Sequence, residues 1–179
     1  MEQGGSLLLI ADHMPNPSAA AELAAAFGAK LNNGFTFDSR KRKDGGYVFR
    51  RSDGSLRNHP IVGGIDLHRT VDSVYTGIGS AFEAVDFEPL LVFGNTFTSR
   101  LPEVPWEFTE NTPTIPIQGW LQGGTRTIGA GRIALFGEAG FFTAQLVGAE
   151  LTPMGMNEPY GKQNPQFILN LFSWLAGTP

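Results

Sequence analysis

The C-terminal part of the chain places the strongest constraint on the fold, because it holds a short apolar segment and a well-delimited helix. Residues 133–136 (IALF) form a continuous apolar run between glycines. Such a run is typical of a strand covered on both faces, as in a parallel α/β sheet. In residues 164–177, an Asn-Pro start, apolar residues at helical spacing and a final glycine predict a helix capped by Asn164. The loop between them, residues 154–159, carries groups that can bind a ligand.

Length and composition are those of one folded domain over residues 1–179. Hydrophobic residues make up 41% of the chain, and none of the apolar runs approaches the length that a bilayer requires. A net charge of −4 argues against a nucleic-acid surface, which is normally basic. The chain has no cysteine, so thiolate metal sites and a cysteine nucleophile are excluded. We find no signal peptide, and a cytoplasmic location is the default expectation.

The N-terminal region predicts the opening of an α/β layer. Residues 6–11 (SLLLIA) are a strand, and an Asn-Pro pair then starts an alanine-rich helix over residues 18–27. Gly4 and Gly5 resemble the stop of a preceding helix. The chain therefore either lacks a strand and helix found in longer relatives or is a compact variant.

The middle of the chain has the alternating pattern of half-exposed antiparallel strands. Residues 31–38 (LNNGFTFD) and 47–51 (YVFRR) alternate apolar and polar side chains. We interpret the basic run 40–43 (RKRK) as a solvated hairpin tip rather than a phosphate-binding patch. Residues 122–128 and 131–136 are adjacent strands or a hairpin. The predicted fold class is α/β: a flavodoxin-like three-layer sandwich, with a mainly parallel sheet and an antiparallel β-rich middle insertion.

Polar residues that follow the predicted strands are the candidate ligand-binding set, because open α/β sheets bind ligands beyond the carboxyl ends of their strands. The set consists of Asp12, His13, Asn95, Glu138, Asn157 and Glu158. The simpler interpretation is structural: Asp12 caps a loop and Glu138 accepts backbone N–H groups. A metal site is less favoured, since the chain has no H-x-x-x-H or comparable pair.

A serine nucleophile is also disfavoured. Residues 77–81 (GIGSA) follow the predicted strand 71–76, which is the setting of a nucleophile elbow. The G-x-S-x-G pattern is not met, because Ile78 and Phe82 occupy the wrong positions. We interpret the segment as a glycine-rich turn.

Three short patches resemble the class I glutamine amidotransferase-like superfamily. They are residues 4–13 (GGSLLLIADH), residues 59–61 (HPI), and the C-terminal set Gly131-Arg132, Gly137-Glu138, Asn164, Phe167, Asn170, Trp174 and Leu175. The resemblance is to an uncharacterised bacterial branch, related to domains of trehalose-utilisation proteins, gliding proteins and an intraflagellar-transport subunit. It implies a flavodoxin-like fold. Amidotransferase chemistry does not follow, because the catalytic cysteine is missing.

Three hypotheses of function follow. The first is a non-catalytic amidotransferase-like domain that binds a small polar ligand or a protein partner at the strand ends. The alternative is a hydrolase that uses His13 as base, with Asp12 or Glu138 orienting it or holding a metal. The third is an assembly module whose aromatic loop, with Trp106 and Trp120, joins another chain, which leaves homo-oligomer formation open. The sequence identifies no cofactor, and neither a nucleic acid nor a membrane is an expected partner.

Overall fold

Strands, rather than helices, dominate the fold. The computed structural model describes residues 1–40 and 45–177. Strands account for 34% of the chain and helices for 20%, in several antiparallel sheets and a curled half-barrel. The prediction of a flavodoxin-like three-layer sandwich with a mainly parallel sheet is therefore wrong. Antiparallel pairing runs through most of the described chain and is not confined to a middle insertion.

The largest sheet has six strands in the order β1-β11-β10-β6-β2, with β7 also paired to β10. Within the described residues, its one parallel pair is β1 with β11, in which Ser6 lies opposite Arg132 and Ile10 opposite Phe136. The strands of this sheet are β1 Ser6–Ile10, β2 Ala29–Leu31, β6 Phe82–Ala84, β7 Glu88–Val92, β10 Leu121–Ile128 and β11 Gly131–Phe136.

The strand β11 explains the error in fold class. It is buried along nearly its whole length, as the apolar run predicts, but its second neighbour is the antiparallel β10. A tight turn joins the two, with Gly129 at a positive φ of 57°. Burial of both faces thus identifies an inner strand without identifying the direction of its neighbours. The predicted hairpin of β10 and β11 is confirmed.

Three smaller sheets complete the strands. The first has the order β3-β8-β9, the second pairs β4 with β5, and the third pairs β12 with β13. Their bounds are β3 Phe35–Asp38, β4 Tyr47–Arg50, β5 Ser73–Thr76, β8 Phe97–Arg100, β9 Thr114–Pro116, β12 Ala144–Val147 and β13 Thr152–Gly155. The single strand predicted over residues 31–38 is wrong, because β2 and β3 belong to different sheets. Residues 41–44, which include most of the predicted basic hairpin tip, lie outside the described residues.

The helices are α1 Asn16–Ala26, α2 Pro60–Gly63 and α3 Asn164–Ala176, with 3₁₀ turns at Leu67–Arg69 and Gly140–Phe142. Both long helices agree with the prediction, and Gly177 ends α3 with a left-handed φ of 74°. The capping residue of α3 is Gln163, not Asn164 as predicted. No helix in the described part of the chain is both long and apolar enough to cross a membrane.

Apolar side chains pack on both faces of the large sheet. Phe136 joins the larger cluster with Phe167 and Leu171 of α3, whereas its neighbour Leu135 joins a smaller cluster with Phe82. Successive strand residues point to opposite faces, so β11 contributes to both clusters. Burial of each such side chain contributes about 1.5–3 kcal/mol. The strand is thereby fixed in position, and its carboxyl end is held in a defined place.

Candidate functional site

The carboxyl ends of β1 and β11 lie side by side. The N–H of Ala11 donates to the carbonyl of Phe136 over 2.8 Å, which continues the parallel pairing beyond the named strands. Asp12 follows with a positive φ of 54°, a conformation that aspartate tolerates better than most residues. Its charge acts on the Glu138 carboxylate. The structure thus brings Asp12 and Glu138 together, as the strand-end rule predicts.

The Glu138 carboxylate is occupied by the backbone of its own segment. Its Oε1 accepts the N–H of Gly140 at 2.6 Å, and its Oε2 accepts the N–H of Phe141 at 2.9 Å. The residue is only 3% exposed. Burial raises the pKa of Glu138 to about 7, the Asp12 charge adds to the increase, and the backbone N–H groups oppose it. This geometry agrees with the structural interpretation, in which Glu138 organises the turn after β11.

The glycine-rich segment after β5 closes this region. The N–H of Ser80 donates to the carbonyl of Gly137 over 2.6 Å, and the Ser80 side chain is fully buried. A Cβ added to Gly79 would lie 2.7 Å from the Cβ of Glu138. Strand β6, not a helix, follows Ser80. The interpretation of residues 77–81 as a glycine-rich turn rather than a nucleophile elbow is confirmed.

His13 is part of an aromatic cluster. Its ring stacks on Phe35 with centroids 4.9 Å apart and contacts the edge of Trp106 at 4.8 Å. Its Nδ1 lies 2.8 Å from the carbonyl oxygen of Met14, so this nitrogen carries the proton and donates. These contacts use the ring as a packing group beside the exposed indole of Trp106.

Asn157 supports a hairpin. Its Nδ2 donates to the carbonyl of Gln145 in β12 over 3.2 Å. The side chain thus fastens the loop after β13 to the neighbouring strand. The next residue, Glu158, has a different environment, because it lines a cavity.

A cavity of about 730 Å³ gathers Asn95 and Glu158 with three tyrosines, and we call it the tyrosine cavity. It lies where the start of β4 and the loop from β7 to β8 meet the loop before α3. Its principal polar lining residues are Asp38, Arg40, Tyr47, Arg50, Asp53, Tyr75, Asn95, Glu158 and Tyr160. Of the six predicted site residues, two therefore line this cavity, two meet at the strand ends, and His13 and Asn157 lie elsewhere.

Charge in the tyrosine cavity is partly balanced within its wall. Arg40 donates from Nε and Nη2 to the buried carboxylate of Asp38, with the Nη2 to Oδ2 distance at 2.7 Å. The hydrogen bonds from Arg40 hold the pKa of Asp38 below its ordinary value. Arg50, Asp53 and Glu158 are the other charged lining residues. The wall thus offers both donors and acceptors of hydrogen bonds.

Two tyrosines form an aromatic surface in the cavity. The rings of Tyr75 and Tyr160 lie 6.4 Å apart between centroids, at an angle of 30°. The start of α3 fixes Tyr75, because the Asn164 side chain accepts its N–H at 3.0 Å and donates to its carbonyl at 2.8 Å. This use of Asn164 explains why it does not cap the helix. Partial burial raises the pKa of Tyr75, and Glu158 adds to the increase.

Sequence reasoning missed most of the cavity wall. The tyrosines come from three distant parts of the chain, and no spacing pattern links them. The nearest signals were Glu158, which precedes Tyr160 by two residues, and the basic run that begins at Arg40. Among the residues that the structure describes, no group of three or more His, Asp or Glu side chains is arranged to hold a metal ion.

His59 has a structural role at the start of α2. Its Nδ1 accepts the N–H of Ile61 at 3.2 Å, at the start of α2, and its Nε2 lies 3.1 Å from the Thr125 hydroxyl. Burial lowers the pKa of His59, and the nearby Glu88 carboxylate opposes this. The neutral His59 ring therefore accepts a backbone N–H group that would otherwise lack an acceptor at the start of α2.

Comparisons with known proteins show a likeness of fold. No family model and no curated protein matches the chain. The solved mmIFT52 N-terminal domain is similar with a TM-score of 0.55 and 12% identity, over 98% of this chain and 66% of that one. This chain therefore spans just under two thirds of that domain's chain. A β-galactosidase from Bacillus circulans sp. alkalophilus has a TM-score of 0.45 and 12% identity, over 99% of this chain and 19% of that one.

The first of these likenesses supports a mostly β, mixed-sheet fold and gives no activity, while the second is too distant to support an argument. The predicted membership of the glutamine amidotransferase-like superfamily is wrong. The matched patches describe a strand end and a helix, which are local elements that unrelated sheets share. The comparisons establish what the chain resembles in fold, and its function has to be argued from its own site.

Proposed function

We propose that this protein is a binding module that takes a small polar ligand in the tyrosine cavity. The observation that carries the proposal is the convergence of Asn95, Glu158, Tyr75 and Tyr160 on one space of about 730 Å³. Pockets for small molecules typically measure about 300–1,000 Å³. The cavity therefore has the size of a ligand site, whereas the carboxylate of Glu138 is enclosed.

The chemistry of the wall favours a ligand that carries both donors and acceptors. The carboxylates of Asp53 and Glu158 accept hydrogen bonds, and the guanidinium of Arg50 donates them. Since charges of both signs are present, the match is to zwitterions and polyhydroxylated molecules rather than to strongly charged ones. The tyrosine rings add an apolar surface against which such a molecule can pack.

Positioning of the wall also supports binding. The backbone of Tyr75 is held by two hydrogen bonds with the Asn164 side chain, one accepted and one donated by Asn164, and the Asp38 carboxylate is paired with Arg40. Groups that are held before a ligand arrives lose less conformational freedom on binding. The cavity thus combines a fixed floor with the more exposed Tyr160 at its rim.

The test is a ligand panel read by thermal shift and by isothermal titration calorimetry. The panel consists of amino acids, monosaccharides, nucleosides and short dicarboxylic acids. We expect at least one of these classes to raise the melting temperature of the wild type, since a ligand that binds only the folded state stabilises it. The Asn95→Ala, Glu158→Gln and Tyr160→Ala variants should lose that shift.

Matched controls lie outside the cavity. Asn111→Ala, Glu107→Gln and Phe172→Ala remove exposed side chains of the same kinds and should leave the shift unchanged. A ligand whose affinity is unaffected by all three cavity variants would place the site elsewhere and overturn the proposal. A panel without any binder would overturn the assigned ligand class.

The hydrolase alternative has less geometric support. Nδ1 of His13 is directed to the carbonyl of Met14, and both oxygens of Glu138 accept backbone N–H groups. A general base has to lie within hydrogen-bond reach of the proton it removes. Both Glu138 oxygens are engaged by the backbone and the residue is almost wholly buried, so it is poorly placed to orient His13 or to hold a metal, and the binding function is the better supported of the two.

A further inference from the structure

The hairpin of β12 and β13 is exposed along all of β12 and along the first half of β13, while Met154 and Gly155 pack on the rest of the molecule. Leu146 and Val147 point to opposite faces of β12, yet they are 56% and 44% exposed. In β13, Thr152 and Pro153 are also exposed. A two-stranded hairpin is at best marginally stable by itself. A sheet of three or more strands with a hydrophobic face can be stable independently. The hairpin is therefore a sheet that further strands would stabilise.

The hydrogen-bond pattern shows which backbone groups of β12 point outward. The N–H of Met156 donates to the carbonyl of Thr143, and the pairing then alternates along the hairpin. Leu146 lies opposite Pro153, which has no N–H, so this is a non-hydrogen-bonded pair. Ala144 and Gly155 also form a non-hydrogen-bonded pair, two residues along the strands. The N–H and carbonyl groups of Ala144 and Leu146 therefore point to the open side of β12.

The two edges of the hairpin differ. On the outer side of β13, Pro153 removes a donor, which is a common way to block an edge strand. On the outer side of β12, the residues are Ala144, Gln145, Leu146 and Val147, with neither a charge nor a proline. Natural proteins usually protect an exposed edge strand with charged residues or proline. Only the β12 edge can accept a strand.

We propose that β12 pairs antiparallel with β12 of a second copy of this chain, forming a four-stranded sheet across a two-fold axis. In the register that matches the outward groups, Ala144 lies opposite Leu146 of the second copy, so each large side chain faces a small one. Gln145 lies opposite its own copy and can exchange side-chain hydrogen bonds with it. An uncharged edge meets itself without like-charge repulsion. Because Pro153 blocks the other edge, the assembly stops at two chains.

This inference is independent of the tyrosine cavity and would survive the failure of that proposal. The first experiment is sedimentation equilibrium of the full chain, for which we expect a reversible dimer. Leu146→Pro removes an outward N–H without breaking a bond inside the hairpin, and it should convert the dimer to monomer. Leu169→Ala removes an equally exposed leucine from α3 and should leave the dimer intact. Circular dichroism melting verifies that each variant is folded.

A cross-linking experiment tests the register itself. The chain has no cysteine, so a single introduced thiol reports one contact. In the proposed register, Gln145 forms a non-hydrogen-bonded pair with its own copy, with Cα atoms about 4.5 Å apart. A disulfide requires a separation of about 4.4–6.8 Å. Gln145→Cys should therefore form a disulfide-linked dimer on mild oxidation, whereas Val147→Cys, which lies further from the axis, should not.

The outcomes that overturn the proposal are distinct. A wild type that is monomeric at all accessible concentrations overturns it, and so does a dimer that persists in Leu146→Pro. A synthetic peptide of residues 143–148, which carries the β12 sequence, should compete with dimer formation. Binding of a monomeric wild type to phosphatidylcholine vesicles would instead assign a different occupant to the edge. Support requires a wild-type dimer, its loss in Leu146→Pro, and the selective cross-link at Gln145.

Discussion

The strand ends at Glu138 and the tyrosine cavity hold similar polar side chains in opposite environments. Both oxygens of Glu138 accept backbone N–H groups, and the residue is almost wholly enclosed. Glu158 faces an open space beside Tyr75 and Tyr160. A buried carboxylate whose bonds are all made within the chain stabilises the fold. A carboxylate that lines a cavity can still form hydrogen bonds with a ligand. We therefore interpret Glu138 as a structural residue and Glu158 as a candidate ligand-binding residue.

The largest expected effect tests how tightly the strand-end region is packed. Gly79→Ala would place a Cβ 2.7 Å from the Cβ of Glu138 and closer still to the carbonyl oxygen of Gly137. We expect it to destabilise the protein by at least about 3 kcal/mol, the upper end of the usual cost of overpacking, since the backbone has to move to admit the methyl group. Gly94→Ala in the cavity wall meets nothing within 4 Å and should be nearly neutral. Urea unfolding of both variants measures this, and equal losses would show that the two regions are not differently packed.

The next effect tests the role of the two carboxylates. Glu138→Ala leaves the buried N–H groups of Gly140 and Phe141 without an acceptor, at about 1–3 kcal/mol for each stranded group. We expect a total loss near 3 kcal/mol in the free energy of unfolding. Glu158→Ala should change it by less than about 0.5 kcal/mol. Chemical denaturation at one pH measures both, and a large loss at Glu158 would contradict the comparison.

The third effect is a dependence of stability on pH. The pKa of Glu138 is about 7 in the folded chain, against an ordinary value of 4.5. Between these values the folded state binds more protons than the unfolded state, so stability falls as the pH rises. The contribution of Glu138 is fully present below pH 4.5 and is lost as the pH passes 7. The expected loss is on the order of 3 kcal/mol.

Glu138→Gln isolates this contribution, because the amide does not titrate. Burial lowers the pKa of His59, so the unfolded chain binds more protons at that residue and stability rises with pH. Wild type and variant share this opposing effect, and their difference reports Glu138 alone. The unfolding free energy of the wild type should fall relative to that of Glu138→Gln as the pH rises from 4.5 to 7. Parallel curves for Glu138→Gln would contradict the prediction.

Local elements were predictable from the sequence, but their partners were not. The strand β1, the hairpin of β10 and β11, and the helices α1 and α3 follow from periodicity and from glycine and proline positions. One neighbour of β11, the parallel strand β1, lies far away in the chain, so this pairing left no local pattern. Likewise, Asn164 has the sequence position of a helix cap, but a contact 89 residues away takes its side chain.

The candidate site residues also include a part that was predictable from the sequence and a part that was not. Asp12 and Glu138 meet because they follow paired strands, which a rule about strand ends anticipates. The tyrosine cavity forms where the small β4 and β5 sheet meets two loops, and no rule about a single sheet places Tyr47, Tyr75 and Tyr160 together. Sequence reasoning therefore found the residue pair at the strand ends, of which Glu138 is buried, and only two residues of the cavity.

The pairing of β1 with β11 has a consequence for how the chain folds. Ser6 lies opposite Arg132, so the first strand has no partner in the sheet until most of the polypeptide has been made. Contacts between such distant segments are slow to form, because a long loop has to close first. During that interval Leu7, Leu8 and Leu9 are exposed to solvent and to other nascent chains. A ribosome-bound chain stopped before residue 131 should therefore recruit chaperones, and release beyond that point should free it from them.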